Sequence, residues 1–185
     1  MFKLLKEVLR TGEATVKYPD APYPVSDNYR GKPEYAARQC IACAACTVAC
    51  PANALTMQTD LSTKVRTWAI NYGRCVFCGR CEEVCPTGAI MLSRNFELAV
   101  RSKADLMVTA EFGLVECREC GTPFAPRKEL EYVMALLARA EFDAANIEGQ
   151  RARFETCPEC KRRMQAAEAR ETFFFNSRAG HEVKR

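Results

Sequence analysis

One sixteen-residue pattern occurs twice in this chain and limits its fold more than any other feature. Cys40-Ile41-Ala42-Cys43-Ala44-Ala45-Cys46-Thr47-Val48-Ala49-Cys50-Pro51-Ala52-Asn53-Ala54-Leu55 aligns without a gap on Cys75-Val76-Phe77-Cys78-Gly79-Arg80-Cys81-Glu82-Glu83-Val84-Cys85-Pro86-Thr87-Gly88-Ala89-Ile90. Both copies read C-x-x-C-x-x-C-x-x-x-C-P, closing on Ala and a branched apolar residue. A unit this short cannot bury a core alone, so the duplication implies two halves related by approximate two-fold symmetry. The 185 residues hold 12 cysteines against one histidine, His181. In a reducing compartment that many thiols do not serve as disulfides, which leaves thiolate metal ligation.

The repeated run is the signature of bacterial two-cluster ferredoxins, in which the fourth cysteine of each run serves the other cluster. A 4Fe-4S cube needs one thiolate per iron. Three cysteines spaced by two residues let one loop wrap a cube with its amides turned to the sulfides, and the fourth, one turn further on, points away. On this reading Cys40, Cys43, Cys46 and Cys85 hold one cluster, and Cys75, Cys78, Cys81 and Cys50 hold the second. Zinc ribbons do not use a third cysteine at this spacing. The small residues Ala42, Ala44, Ala45, Gly79 and Gly88 admit close backbone approach. Val48, Leu55, Phe77, Val84 and Ile90 are candidates for the dry shell, which is also the core of so small a domain.

The remaining cysteines form two knuckles, Cys117-Arg118-Glu119-Cys120-Gly121 and Cys157-Pro158-Glu159-Cys160, separated by 36 residues. Together they make a closed tetrahedral thiolate site, expected to hold zinc, with a mononuclear iron of the rubredoxin type as the alternative. Such a metal closes a long loop around a module with little core of its own.

Between the two repeats, Ala54 to Thr59 and Val65 to Asn71 read as a hairpin with its turn at 61–64, Trp68, Ile70 and Tyr72 alternating on the return strand. Short helical turns carry the fourth cysteines. Phe2 to Arg10 reads as an amphipathic helix with Leu4, Leu5, Val8 and Leu9 on one face. Pro19, Pro22, Pro24 and Arg30-Gly31-Lys32-Pro33 mark an extended arm. Pro126 to Phe142 carries the clearest helical period, through Leu130, Val133, Met134 and Leu137. Beyond Lys161 the chain is charged apart from Phe173-Phe174-Phe175. The fold class is therefore α+β: a two-4Fe-4S ferredoxin-like core with pseudo-two-fold symmetry, an N-terminal arm and a C-terminal four-cysteine metal-ribbon module. The expected domains are 1–34 (helix and arm), 35–100 (two-cluster domain), 101–162 (four-cysteine module) and 163–185 (charged tail).

Several function classes are excluded. A net charge of +4, with Glu119 and Glu159 inside the knuckles, makes a poor phosphate surface, which argues against nucleic acid as a partner. No apolar run reaches the roughly 18–20 residues of a membrane span, and Lys3, Lys6, Glu7 and Arg10 break up any secretory leader. No dinucleotide fingerprint, phosphate loop or nucleophile elbow is present, so no catalytic residues are expected.

With these residues in view, the chain resembles the eight-iron ferredoxin-like subunits of formate hydrogenlyase and related NiFe-hydrogenase complexes, cousins of the ferredoxin-like subunit of respiratory complex I. The shared features are Tyr18-Pro19, Arg30-Gly31-Lys32-Pro33, both cysteine motifs and Phe96-Glu97-Leu98. The pair of C-terminal knuckles, which the complex I subunit lacks, resembles the hydrogenlyase branch. The resemblance implies an electron relay inside a multisubunit assembly, between formate oxidation and proton reduction. Its implied partners are the hydrogenase large and small subunits and other iron–sulfur subunits, beside a membrane arm. The implied location is cytoplasmic, peripheral to the inner membrane. A complex I-type subunit and a freely diffusing ferredoxin are the alternatives.

Overall fold

The structure, a computed structural model, describes residues 2–12, 15–140 and 144–179. Helix α1 (Phe2–Thr11) leads through an extended arm to strand β1 (Pro33–Tyr35), helix α2 (Ala45–Ala49) and strands β2 (Leu55–Asp60) and β3 (Val65–Asn71). Helix α3 (Arg80–Glu83) and strand β4 (Ile90–Leu92) follow. A 3-10 turn (Lys103–Leu106) then introduces β5 (Met107–Glu116) and β6 (Pro123–Pro126). Helices α4 (Arg127–Arg139), α5 (Ala144–Phe154) and α6 (Pro158–Ala179) complete the chain.

The hairpin β2–β3 forms where the alternation placed it, with Leu55 opposite Ile70 and Met57 opposite Trp68. Trp68 and Ile70 bury completely while their neighbours on β3 do not, the period of two of a strand with one dry face. They centre a core with Ala42, Leu55, Cys81, Ile90 and Phe112, on which Cys40, Cys46, Cys50 and Cys85 also pack. A separate pair, β1 with β4, sets Tyr35 against Ile90 and Pro33 against Leu92.

Strand β5 has no counterpart in the sequence reading. It pairs along the whole of β3, Trp68 opposite Ala110, and hands on to β6, giving a four-stranded antiparallel sheet in the order β2-β3-β5-β6. The sheet therefore runs from the first eight cysteines directly into the segment that carries the last four. Helix α4 then returns to the repeats. Lys128 Nζ donates to the carbonyls of Ala37 and Arg38 at 3.0 and 3.1 Å, and Tyr132 Oη to that of Pro86 at 3.5 Å. Arg66 Nη1 donates to Ala42 O at 3.1 Å and lies 3.8 Å from the Glu129 carboxylate.

The arm is bound rather than loose. Gly31 N–H donates to Ser93 O and Lys32 N–H to Asn95 O, while Tyr18, Tyr23 and Tyr29 surround Phe96 with ring centroids 6.0–6.1 Å away. Helix α1 has the expected amphipathic pattern, but its apolar face meets nothing: Phe2, Leu4, Leu5, Val8 and Leu9 are all exposed. The segment read only as a charged tail is helical through Ala179, and His181 lies outside the described residues. Among the described residues no helix is long and apolar enough to cross a membrane.

Candidate cofactor sites

The two cysteine loops share backbone conformations and hydrogen bonds at equivalent positions. Ala42 and Phe77, at equivalent positions, take left-handed backbones (φ 57° and 52°), as do Ala44 and Gly79 (64° and 83°) and Asn53 and Gly88 (48° and 65°). Left-handed alanine, asparagine and phenylalanine cost about 1–3 kcal/mol each and persist only where the surroundings impose them. The turns that carry the fourth cysteines also correspond. Thr47 N–H and Val48 N–H donate to Ala44 O, as Glu82 N–H and Glu83 N–H do to Gly79 O. Ala54 N–H donates to Cys50 Sγ at 3.3 Å, and Ala89 N–H to Cys85 Sγ at 3.2 Å. Leu55 and Ile90, the closing residues of each repeat, are both buried. Val48, read as shell, is 88% exposed. It sits two residues, about 200° of helical rotation, beyond the inward-facing Cys46, so α2 turns it to solvent.

A cavity is lined by Cys75, Cys78 and Cys81 of the second repeat together with Cys50 of the first. The rest of its wall is almost wholly apolar, from Pro33, Leu55, Ile70, Phe77 and Leu92 among others. On the other side, Cys46 feels the charges of Cys40, Cys43 and Cys85, and Tyr35 those of Cys40, Cys46 and Cys85. Four thiols thus gather on each side, three from one loop and one from the other. Burial raises the pKa of Cys46 and of Cys75 and pushes Cys81 up to about 11. Cys85 is the exception. Burial opposes its thiolate too, but hydrogen bonds from Thr87, Ile90 and Ala89 bring its pKa below the ordinary value. Two groups of four clustered thiols, half-buried apart from the buried Cys81, are the donor set of a soft metal centre rather than of free thiolates. Both sites fit 4Fe-4S clusters.

Sequence reasoning missed two side chains here. Tyr35 and Trp68 stack with centroids 3.7 Å apart and planes 12° from parallel, and their Oη and Nε1 are buried without a hydrogen-bond partner. Trp68 was legible as a core residue of the return strand; nothing in the sequence pairs it with Tyr35.

The last four cysteines converge separately. Their sulfurs lie within 4.8 Å of one another, Cys117, Cys157 and Cys160 buried and Cys120 exposed. The three buried cysteines, with Phe124 against them, form the hydrophobic cluster of this region. Cys157 N–H donates to Cys117 Sγ at 3.2 Å, Cys160 N–H to Cys157 Sγ at 3.4 Å, and Arg163 Nη2 reaches Cys160 Sγ at 3.5 Å. Burial works against a Cys117 thiolate, yet amides of Cys157, Cys120 and Glu119 bring its pKa down to about 6. Burial and the three neighbouring sulfurs push Cys160 up to about 12. Four thiols this close cannot all ionise without a cation among them, and a divalent metal would supply it.

A family profile described as the 4Fe-4S dicluster domain matches residues 39–89. The chain is 53% identical over 162 residues to formate hydrogenlyase subunit 6 of Escherichia coli (strain K12), covering 88% of this chain and 89% of that protein. It is 37% identical over 70 residues to NADH-quinone oxidoreductase subunit I of Francisella tularensis, covering 32% of this chain and 43% of that one. A chain of the membrane-bound sulfane sulfur reductase, an archaeal respiratory membrane complex, is 33% identical, with a TM-score of 0.42 over 55% of this chain and 53% of its own.

Proposed function

This chain belongs to the family of formate hydrogenlyase subunit 6, and from that premise we propose that it relays electrons through two 4Fe-4S clusters inside a hydrogenase complex, between formate oxidation and proton reduction. One cluster is held by Cys40, Cys43, Cys46 and Cys85, the other by Cys75, Cys78, Cys81 and Cys50. The observation that carries this is the cavity in which Cys50, from the first repeat, joins the three leading cysteines of the second. The exchange of fourth ligands keeps the sites adjacent, as electron hopping requires. When bound, the clusters take up and give out single electrons. The chain's own part is to fix their spacing, exclude water with Leu55, Ile70 and Ile90, and offer amides to sulfur. The repeated left-handed backbones support an approximate two-fold axis between the halves. The chain has no catalytic site of its own in this reading.

The four sulfurs of Cys117, Cys120, Cys157 and Cys160 hold one structural metal in a ribbon-like module, zinc first and mononuclear iron second. The amides donating to sulfur, and a local core made of the cysteines themselves with Phe124, support either ion. The assembly includes the hydrogenase large and small subunits and further iron–sulfur subunits, on the cytoplasmic side of the inner membrane, with the unpartnered face of α1 turned to a subunit beside the membrane arm. The four domains are 1–34, 35–100, 101–162 and 163–185, the second and third joined through β3–β5.

The test is Cys50→Ala and Cys85→Ala in the full complex. Each should remove one cluster's electron paramagnetic resonance signal and abolish formate-driven hydrogen evolution. Full hydrogen evolution by both variants would defeat the relay.

A further inference from the structure

The two halves repeat closely in backbone but not in the side-chain donors turned toward their cysteines. Two such donors, and among the described residues only these two, are buried without a hydrogen-bond partner: Tyr35 Oη and Trp68 Nε1. Both belong to one side. Tyr35, Cys40 and Cys46 all pack on the core that holds Trp68, which sets the Tyr35 hydroxyl beside Cys40 and the Trp68 indole beside Cys46. A buried polar hydrogen with no partner costs about 1–3 kcal/mol, and Trp68 is fully buried in the core. Two orphans side by side, stacked 3.7 Å apart, are explained once Cys40 and Cys46 become cluster-bound thiolates, which are far better acceptors than thiols.

The second side has no such pair. Its nearby phenol, Tyr72, donates instead to Pro33 O at 2.8 Å. Its carboxylates add negative charge: Glu82 follows Cys81 in sequence and accepts Leu92 N–H at 3.1 Å. Guanidinium groups do not account for a difference, since Arg30 Nη1 reaches Cys78 O and Arg66 Nη1 reaches Ala42 O, each at 3.1 Å.

We propose that the stacked Tyr35–Trp68 pair tunes the cluster of Cys40, Cys43, Cys46 and Cys85, donating O–H and N–H hydrogen bonds to its cysteinyl sulfurs and so making it the more readily reduced of the two. This rests on the ligand assignment above. Adding one electron, supplied by the neighbouring cluster, raises the negative charge on the sulfurs. Donors aimed at them therefore stabilise the reduced form, as hydrogen bonds to sulfur do in iron–sulfur centres generally. Tyr35 and Trp68 are positioning residues; they touch ligands and move no proton.

The experiment is a redox titration of the full chain with its clusters, followed by electron paramagnetic resonance. Cys46→Ser identifies the first cluster's signal by perturbing it alone. Tyr35→Phe removes the hydroxyl and keeps the stack. Trp68 is the only tryptophan, so replacing tryptophan globally with its benzothienyl isostere removes one N–H and little else. Each change should lower the reduction equilibrium constant of the first cluster by up to about tenfold, a 59 mV shift for one electron, and leave the second cluster unmoved. Unchanged potentials in both variants, or equal shifts of both clusters, overturn the tuning. Wild-type spectra with fewer than two 4Fe-4S signals overturn the ligand assignment itself, and the tuning with it.

Discussion

Replacing Gly31 with alanine should separate the arm from the two-cluster core. A Cβ built on Gly31 falls 2.3 Å from Asn95 O and 2.8 Å from Ser93 O, both backbone atoms. Neither can swing aside as a side chain would, so the arm or the segment after β4 has to move. That displacement breaks the hydrogen bonds Gly31 N–H to Ser93 O, Lys32 N–H to Asn95 O and Ser93 N–H to Lys32 O. At about 1 kcal/mol net per bond the loss is about 3 kcal/mol, and in a chain of this length it should lower Tm by about 6–12 °C. The control is Gly113→Ala on β5, where a Cβ meets nothing within 4 Å and Tm should hold within about 2 °C. The assay is thermal unfolding of the metal-loaded full chain, followed by circular dichroism and by bleaching of the cluster absorbance. Because Pro33, two residues on, lines the cavity of the second cluster, bleaching should come earlier in Gly31→Ala as well. Equal Tm values for the two variants would refute the reasoning that the arm is clamped by backbone contact.

Cys157→Ser should release about one equivalent of metal, retain both clusters and expose residues 117–160 to protease, since the buried members of this region's core are the cysteines themselves; metal analysis with limited proteolysis checks it. Arg66→Met removes the donor to Ala42 O and the pairing with Glu129. Its guanidinium bond is charge-assisted and largely sheltered, so the expected cost is about 1.5–3 kcal/mol, read by urea unfolding. Asp60 accepts from Ser62 N–H, Ser62 Oγ and Thr63 N–H, which holds its pKa at about 2 against an ordinary 3.8. The folded value is depressed, so the turn's support is complete above the ordinary value and is lost as the pH falls toward 2. Carboxyl chemical shifts should titrate at that low midpoint, and a midpoint near 3.8 would contradict it.

The hairpin, the short turns under the fourth cysteines and the helix after Pro126 were readable because local patterning sets them. Alternation fixed β2 and β3, and periodic apolar residues fixed α4. Strand β5 carries the same alternation in Val108, Ala110, Phe112 and Leu114, but its meaning depends on β3 being free to pair, which is a tertiary fact. Only Phe112 and Leu114 of those four are buried, while Ala110 is half-buried and Val108 exposed, so the hydrophobic signal is diluted. Knuckle spacing picked out the four cysteines that the structure brings together, and the structure adds that their module is anchored through Lys128, Glu129 and Tyr132 on α4. The Tyr35–Trp68 stack joins residues 33 positions apart on strands of different sheets, and no local rule brings them together.

The most direct test of the paired-cluster account is iron and acid-labile sulfide analysis of the anaerobically purified full chain, read alongside its Mössbauer spectrum. The account predicts about eight sulfide and eight cluster iron per chain in two cubane sites, with the metal at Cys117, Cys120, Cys157 and Cys160 counted separately. Absence of labile sulfide, with the first eight cysteines holding isolated tetrahedral ions, would contradict it.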